Sequence, residues 1–508
     1  PPDIVKKVVR DIGFSDFEDS LSGSYAEREF CVQYRETAYN FVHRIMEEEG
    51  IYYYIKHVEG NHTLVLADSK SAHDTLSGYA TIPYYPEADI DRREKESIYS
   101  WSIVKSLQSG KVALKDFDFE APRKDLLKKK TMPGGHSHDA YEVYDYPGDY
   151  VDPSLGEHYT KVRMEEIRCR HEVVEAATSV HGATPGTLFT LEKCPRSDQN
   201  REYLITGIEL FLEDDPYETG AAPEQREPVY EAHMTLIPSD IVYRPRRTTP
   251  KTRIRGPQTA IVVGPGGEEI YTDNHGRVKC QFHWDRYGNS DENSSCWIRV
   301  SHPWAGKNWG AIAIPRIGQE VVVEHEEGDP DRPIITGRVY NGEQKPPYDL
   351  PANKTQSGTK SRSSKAGSAD NFNELRFEDK KGSEQVYFHA EKNFDRVVEN
   401  DDTEEVGNNQ DIKIGSAQAA DGSQTEEIWK NRTTTLKTGN DSLTLEMGDR
   451  NVTLQMGNLA TDVQMGNVDL TLGMGNLSTT LNMGNQTTDL SLGKSETTAM
   501  QSIEFKVG

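Results

Sequence analysis

The sequence predicts a mainly β protein with some α: a mixed N-terminal region, a small β-barrel, and a C-terminal repeat whose strands are buried only by stacking. Three observations predict this. Glycine returns every nine residues near the C-terminus, at Gly439, Gly448, Gly457, Gly466, Gly475, Gly484 and Gly493. Short β-branched runs alternate with Gly- and Pro-rich turns between Arg253 and Gly342. Only 34% of the 508 residues are hydrophobic, below the roughly 45–50% usual for globular chains, a figure that also counts Gly. So polar a chain either contains disorder or spends much of its length in thin, high-surface architecture.

The first region, 1–248, carries one clear helix signal, Thr37–Gly50, with Tyr39, Val42, Ile45 and Met46 at helical spacing and Gly50 as its stop. The aromatic run IYYYI follows as a strand, and Thr187–Leu191 and Tyr203–Leu212 are further strand candidates. In the second region, 253–342, the runs TAIVVG, RVKCQFHW, CWIRVS, GAIAIP, QEVVVEHE and PIITGRVY are separated by turn clusters with no helix signal, the pattern of a small barrel. A polar stretch rich in Ser, Lys and Gly, 353–370, reads as a linker. From residue 371, strand alternation puts Leu375 and Phe377 on one face of NELRFED, and Val386, Phe388 and Ala390 on one face of EQVYFHAE.

The repeat is a strand plus a corner. Met447, Met456, Met465, Met474 and Met483 precede five of its glycines, and Leu492 takes the place of Met in the last unit. The five residues before each glycine alternate with period two. Their central positions, Leu445, Leu454, Val463, Leu472, Leu481 and Leu490, read as the buried core of the stack. Gly-Asn steps tolerate positive φ, so the chain can turn between strands. One such strand cannot bury its own face, so the units must stack, within one chain as a β-solenoid or between intertwined chains. The short unit, with one strand per corner, leans towards intertwined chains. Calcium binding is disfavoured, because the calcium nonapeptide needs two glycines and a fixed Asp. Here Asp462 and Asp489 share their position with Thr444, Thr453, Thr471 and Thr480. The Met stripe reads as core filler rather than as soft-metal ligands.

The net charge of −25, with 83 acids against 58 bases, argues against a general nucleic-acid binder, which needs a concentrated basic surface. Five scattered cysteines without a CxxC pair fit a reducing compartment and supply no metal framework. No apolar run is long enough for a transmembrane helix. Other constellations read as structural. HSHD (His136–Asp139) is an exposed loop beside Pro-Gly-Gly. Beside QFHWD (Gln281–Asp285), Cys280 and His283 point to opposite faces of a strand. GPGGEE (Gly264–Glu269) lacks the Lys-Ser/Thr of a phosphate loop and reads as a hairpin turn. EEGDPDRP (Glu326–Pro333) reads as a rigid, solvated connection rather than a cation site, and SDQNRE (Ser197–Glu202) as a polar turn. No catalytic residue, cofactor site or metal site is assigned.

Several longer stretches resemble the valine-glycine repeat (VgrG) spike proteins of bacterial type VI secretion systems, themselves similar to the hub and spike proteins of contractile-tail phages. They include REFCVQYRETAYNFVHRIMEEEGIYYY (Arg28–Tyr54), YDYPGDY (Tyr144–Tyr150) and DQNREYLI (Asp198–Ile205). Also similar are RVKCQFHWDR (Arg277–Arg286), NSSCWIRVS (Asn293–Ser301), WAGKNWGAIAIPRIGQEVVV (Trp304–Val323), EGDPDRPIITGRVYN (Glu327–Asn341) and NELRFEDKKGSEQVYFHAEKN (Asn373–Asn393). The resemblance implies a partial phage-hub-like domain at 1–248, an OB-fold at 253–342, the linker 353–370, and an intertwined triple-stranded β-helix needle at 371–508. It implies a non-enzymatic homotrimer that caps a tube of the secreted ring protein, bears a PAAR-type tip protein, and carries effector cargo with its adaptor or chaperone. Such a spike contacts a target membrane transiently. It would be assembled in the bacterial cytoplasm and ejected without a classical signal peptide. The family's first half-barrel would precede Pro1, and further β-helix would follow Gly508. Two rival classes are a spike-associated hydrolase and a single-chain β-solenoid adhesin.

Overall fold

The computed structural model describes residues 1–88, 95–213, 229–416 and 422–506. It divides into two units, Pro1–Val397 and Val398–Gly508.

Among the described residues of the first unit, three α-helices form where the apolar spacing marks one. Helix α1 (Pro2–Asp11) carries Pro at its start and buries Val5. Helix α2 (Ala38–Glu49) is the expected one. The Thr37 hydroxyl accepts from the Asn40 N–H, and Gly50 ends the helix in the left-handed conformation at φ 75°, where a glycine avoids Cβ strain. Its buried face is Phe41, Val42, Ile45 and Met46. Tyr39, counted on that face by spacing, is exposed instead. Helix α3 (Pro153–Arg168) is capped by Asp152 and begins on Pro153. It escaped the apolar count because its buried face includes Glu165 and Glu166, whose charges are met by Arg244 and Arg163.

The largest sheet orders Asp74–Thr75, Thr187–Glu192, Glu202–Glu213, Val229–Pro238, Glu172–Thr178 and Ile98–Lys105, with Thr81–Pro83 also paired to Thr187–Glu192. Its core includes Ile98, Val174, Phe189, Tyr203, Ile205 and Met234. A second sheet joins Phe17–Ser20, Asn61–Ala67 and Tyr52–Val58 and packs with α1 and α2. A third joins Lys128–Thr131, Lys111–Leu114 and Glu142–Asp145 beneath α3.

The barrel region forms a five-stranded sheet: Lys279–Phe282, Gln258–Val263, Glu320–His325, Pro333–Arg338, Arg299–Val300. An antiparallel bridge between Val278 and Ile298, the residues just before the two outer strands, brings the ends of the sheet together. Ala260, Val262, Cys280, Phe282, Val321, Val323 and Ile335 fill it. Two of the six runs contribute less than expected. CWIRVS supplies only the short strand Arg299–Val300, and GAIAIP supplies no barrel strand. Trp309–Ala311 pairs instead with Trp304–Gly306 as a separate two-stranded ribbon.

The stretch read as a linker is ordered in part. Gln356–Lys360 pairs with Glu374–Glu378, which pairs with Gln385–His389. The register sets Leu375 opposite Phe388 and Phe377 opposite Val386 on one face, where Phe377, Val386 and Phe388 are exposed on the single chain. These strands lie in the first unit, which runs to Val397.

In the second unit the chain bends at each Met-Gly step from 446–448 to 482–484. Six of the repeat glycines, Gly439 to Gly484, sit at φ between 103° and 127°, and Gly493 does not share this conformation. None of the described residues of this unit belongs to a paired strand. A strand exists only through its hydrogen-bonded neighbour, and the single chain supplies none here.

Candidate functional surfaces: the domain junction and the repeat

Two arrangements in this chain stand out: a charged junction between regions and the glycine repeat. The first joins the N-terminal region to the barrel. The turn after Glu320–His325, Glu326-Glu327-Gly328-Asp329-Pro330-Asp331-Arg332, was expected to be solvated. It is the contact itself. The Val32 N–H donates to Asp331 Oδ1 at 2.7 Å. Arg332 donates to Asp116 at 3.0 Å, and the Asp116 side chain is fully buried. The same Asp116 carboxylate accepts from the Asp149 N–H at 2.7 Å. Lys251 Nζ lies 2.6 Å from Asp329 and 3.7 Å from Asp149. Beside this network, Trp284 donates to Gln258, which donates to the Tyr34 hydroxyl.

The network shifts its own acids. Burial, with repulsion from Asp329, pushes the Asp331 carboxyl up to about 6 against the pull of Lys251. Burial, opposed by Lys251 and reinforced by Glu48 and Asp329, pushes Asp149 up to about 6. The far side of the junction is anchored on α2. Arg244 donates to the Gly50 carbonyl at 2.7 Å and to Glu165 at 2.8 Å, while Glu47 accepts from the Thr248 and Thr249 N–H groups at 2.9 Å. The Arg244 cation thus meets the carbonyl end of α2, and the chain leaving the first region is held against that helix. Spacing gives no hint of these partners. The available signal was the mixture of Asp, Pro and Arg in GDPDRP, a turn with more charge than a solvated connection requires.

The second arrangement is the repeat. Its central positions, Leu445, Leu454, Val463, Leu472, Leu481 and Leu490, are 43–52% exposed, whereas Met447, Met456, Met465, Met474 and Met483 at the corners are 95–99% exposed. The two sets therefore differ within a single chain. The central residues are partly sheltered by their own chain, and the methionines, expected as filler, touch almost nothing of this chain.

The remaining constellations hold structure. Asp139 of HSHD accepts from the Gly134, Gly135 and His136 N–H groups and lies 3.2 Å from His136 Nε2, so it ties the loop. Burial pushes the Cys280 and Cys296 thiols up to about 12, away from the reactive thiolate, and exposed His283 pairs with Thr259. The SDQNRE turn is less polar than expected: Gln199 is buried and accepts from the Tyr203 hydroxyl at 2.9 Å. In GPGGEE, Glu268 pairs with Lys365 and Glu269 accepts from the Ala366 N–H. Among the described residues, no group of three or more His, Cys, Asp or Glu is arranged to hold a metal ion, and no helix is long and apolar enough to cross a membrane.

Comparison with known proteins matches this order of parts. The family model for the phage tail baseplate hub matches residues 1–216. That for the type VI secretion system and phage-baseplate injector OB domain matches residues 268–340. That for the bacteriophage T4 gp5 C-terminal trimerisation domain matches residues 357–468. The chain is 54% identical over 406 residues to the type VI secretion system spike protein VgrG1b of Pseudomonas aeruginosa, covering 80% of this chain and 54% of that protein. It is 52% identical to VgrG1a of the same organism, covering 80% and 63%. It is 36% identical over 444 residues to the actin cross-linking toxin VgrG1 of Vibrio cholerae, covering 86% and 39%. The chain thus spans about half the length of the curated relatives it matches. A solved Escherichia coli type VI secretion component, described as similar to the T4 tail proteins gp27 and gp5, aligns over 66% of this chain and 71% of its own at 18% identity and a TM-score of 0.44. With hub, OB-fold and trimerisation segments in this order, and relatives above 50% identity over 80% of the chain, the chain belongs to the VgrG family of type VI secretion spike proteins.

Proposed function

We propose that three copies of this chain form the spike of a type VI secretion machine and that the chain performs no catalysis. The hub region, 1–248, would seat on the tube of the secreted ring protein. The barrel, 253–342, would transmit thrust through the Asp331–Arg332 junction. The repeat would form a needle that helps puncture the target membrane, bears a PAAR-type tip protein, and delivers effector cargo. The observation that carries this reading is the repeat: corners set by positive-φ glycines, an alternating apolar face, and no strand partner among the described residues of its own chain. Three chains supply the missing neighbours, stacked about 4.8 Å apart, and interlocked strands cannot unravel one at a time. The prism would be stiff along its axis, as piercing demands.

Light scattering on the purified full chain tests this. The expected mass is three times 57.2 kDa and persists on dilution. A stable monomer would overturn the reading and return the single-chain solenoid. The inner face has its own test. Asp at Leu454, Val463 or Leu472 should cost several kcal/mol per chain by burying charge. Asp at Thr453 or Thr471 should cost little, since Asp462 and Asp489 already occupy that position. Equal losses of trimer in the two sets would show that the inward face is assigned wrongly.

A further inference from the structure

Among the described residues, the ribbon Trp304–Gly306/Trp309–Ala311 pairs with no other sheet. It pairs only with itself, with Trp304 opposite Ala311 and Gly306 opposite Trp309. An isolated two-stranded ribbon is marginal in water and needs a covering surface. Alternation puts Trp304 and Trp309 diagonally on one face, and their rings meet edge to face at 5.4 Å. Yet Trp304 is 63% and Trp309 58% exposed, and neighbouring Ile312 is 74% exposed. The face is rigid as well as apolar. A Cβ on Gly306 would lie 2.2 Å from the Trp309 ring, and one on Gly310, at φ 137°, would lie 2.4 Å from the Trp304 carbonyl oxygen. Each glycine is required by the close approach of a tryptophan. Rigid aromatic surface with little side-chain entropy left to lose is the composition of a docking surface.

Two observations say what covers it. Residues 304–312 contain one Lys and no acid, in a chain with 83 acids and a net charge of −25. Copies of this chain repel one another over most of their surface, and this patch is an exception where contact costs no like-charge approach. The ribbon is also tied to the start of the segment that matches the trimerisation domain, residues 357–468. Past the ribbon, Arg338 donates to the Ala313 carbonyl, and Arg316 donates to the Arg362 carbonyl at 2.7 Å. The stretch that follows the aromatic face is thus held to the start of the trimerisation segment.

We propose that the Trp304/Trp309 face packs against the barrel of a neighbouring copy of this chain, clasping the three barrels together upstream of the trimerisation segment. The inference rests on the trimeric reading above and assigns it a contact outside the repeat. The clasp fixes the barrels relative to one another, so that thrust from the hub is shared by three chains before it reaches the needle.

The test uses the full chain with Trp429→Phe, because Trp429 is the other strongly exposed tryptophan among the described residues. The emission of the ribbon pair is obtained as the difference between this protein and one also carrying Trp304→Phe and Trp309→Phe, with light scattering on both. The expected result is a trimer whose difference emission is blue-shifted and resists acrylamide. Trp304→Ala with Trp309→Ala should then lower the urea concentration at which the trimer comes apart. A trimer whose ribbon tryptophans emit and quench as free indole overturns the clasp and leaves the trimeric reading intact. A monomer overturns both. The Phe pair keeps an aromatic face, so the emission measurement stands even where the Ala pair fails to fold.

Discussion

Asp331 and Asp149 show how single residues couple the hub to the barrel. Both carboxyls are raised to about 6 in the folded chain, above the usual value of about 3.9, so the native state binds their protons more tightly than the unfolded one. Their contribution to stability therefore improves as pH falls through about 6 and levels off below the unfolded value. Asp68, Glu49 and Asp273 are lowered and act in the opposite sense, so the whole-protein profile mixes the two. Asp331→Asn isolates one group and keeps an acceptor for the Val32 N–H. At pH 7.5 this variant should match or exceed the wild type in urea, and any advantage should shrink steadily as the pH falls to 4.5. A difference unchanged across that range would show that Asp331 does not titrate there. Arg332→Met should cost about 3 kcal/mol at neutral pH, because it leaves buried Asp116 without its cation. Urea unfolding followed by tryptophan emission reads this, and a loss under half that size would mean that the backbone donors alone satisfy Asp116.

At the scale of elements, local signals succeeded where one residue's chemistry decides an end. The Thr37 cap and the Gly50 stop bound α2 where the sequence placed them. Thr37→Ala should cost about 1 kcal/mol, readable as a lowered Tm, and no change would show that another group takes over the Asn40 N–H. The signals failed for α3, whose buried glutamates break the apolar period, and for GAIAIP, whose residues look like a strand but find their partner in the Trp304–Gly306 segment. The repeat glycines separate in a way the nine-residue period hides. Gly466 sits at φ 127°, while Gly493 has no such constraint. Gly466→Ala should therefore cost about 1–3 kcal/mol per chain, whereas Gly493→Ala should leave the melting temperature of the assembly unchanged. Equal shifts would mean that the corner at Gly493 adopts the same turn once chains assemble.

At the scale of the whole molecule, the single chain is unfinished, and its exposed apolar surface shows where. The face of Phe377, Val386 and Phe388, the ribbon tryptophans and the half-exposed central residues of the repeat are all apolar groups facing water on a chain whose mean hydropathy is −0.75. Burial of such surface contributes about 25 cal/mol per Å², and the proposed assembly of three copies would recover it. Limited proteolysis of the full chain checks this. The repeat should resist cleavage at concentrations where the mass is threefold, and rapid cutting within 440–490 in that state would refute intertwining.

Period two, the nine-residue glycine beat, the α2 caps and the β-branched runs were legible in the sequence, because each depends on residues within a few positions of one another. They set the order of mixed region, barrel and repeat. The tertiary structure alone decided how the first two are joined. Val32 and Asp331 stand 299 positions apart, and Arg332 and Asp116 stand 216 apart, so no local pattern marks them. It also turned GDPDRP from a solvated connection into a domain contact and part of the linker into a strand. In each case a charge or a strand edge found a partner that only the folded chain brings near, and burial then fixed its role.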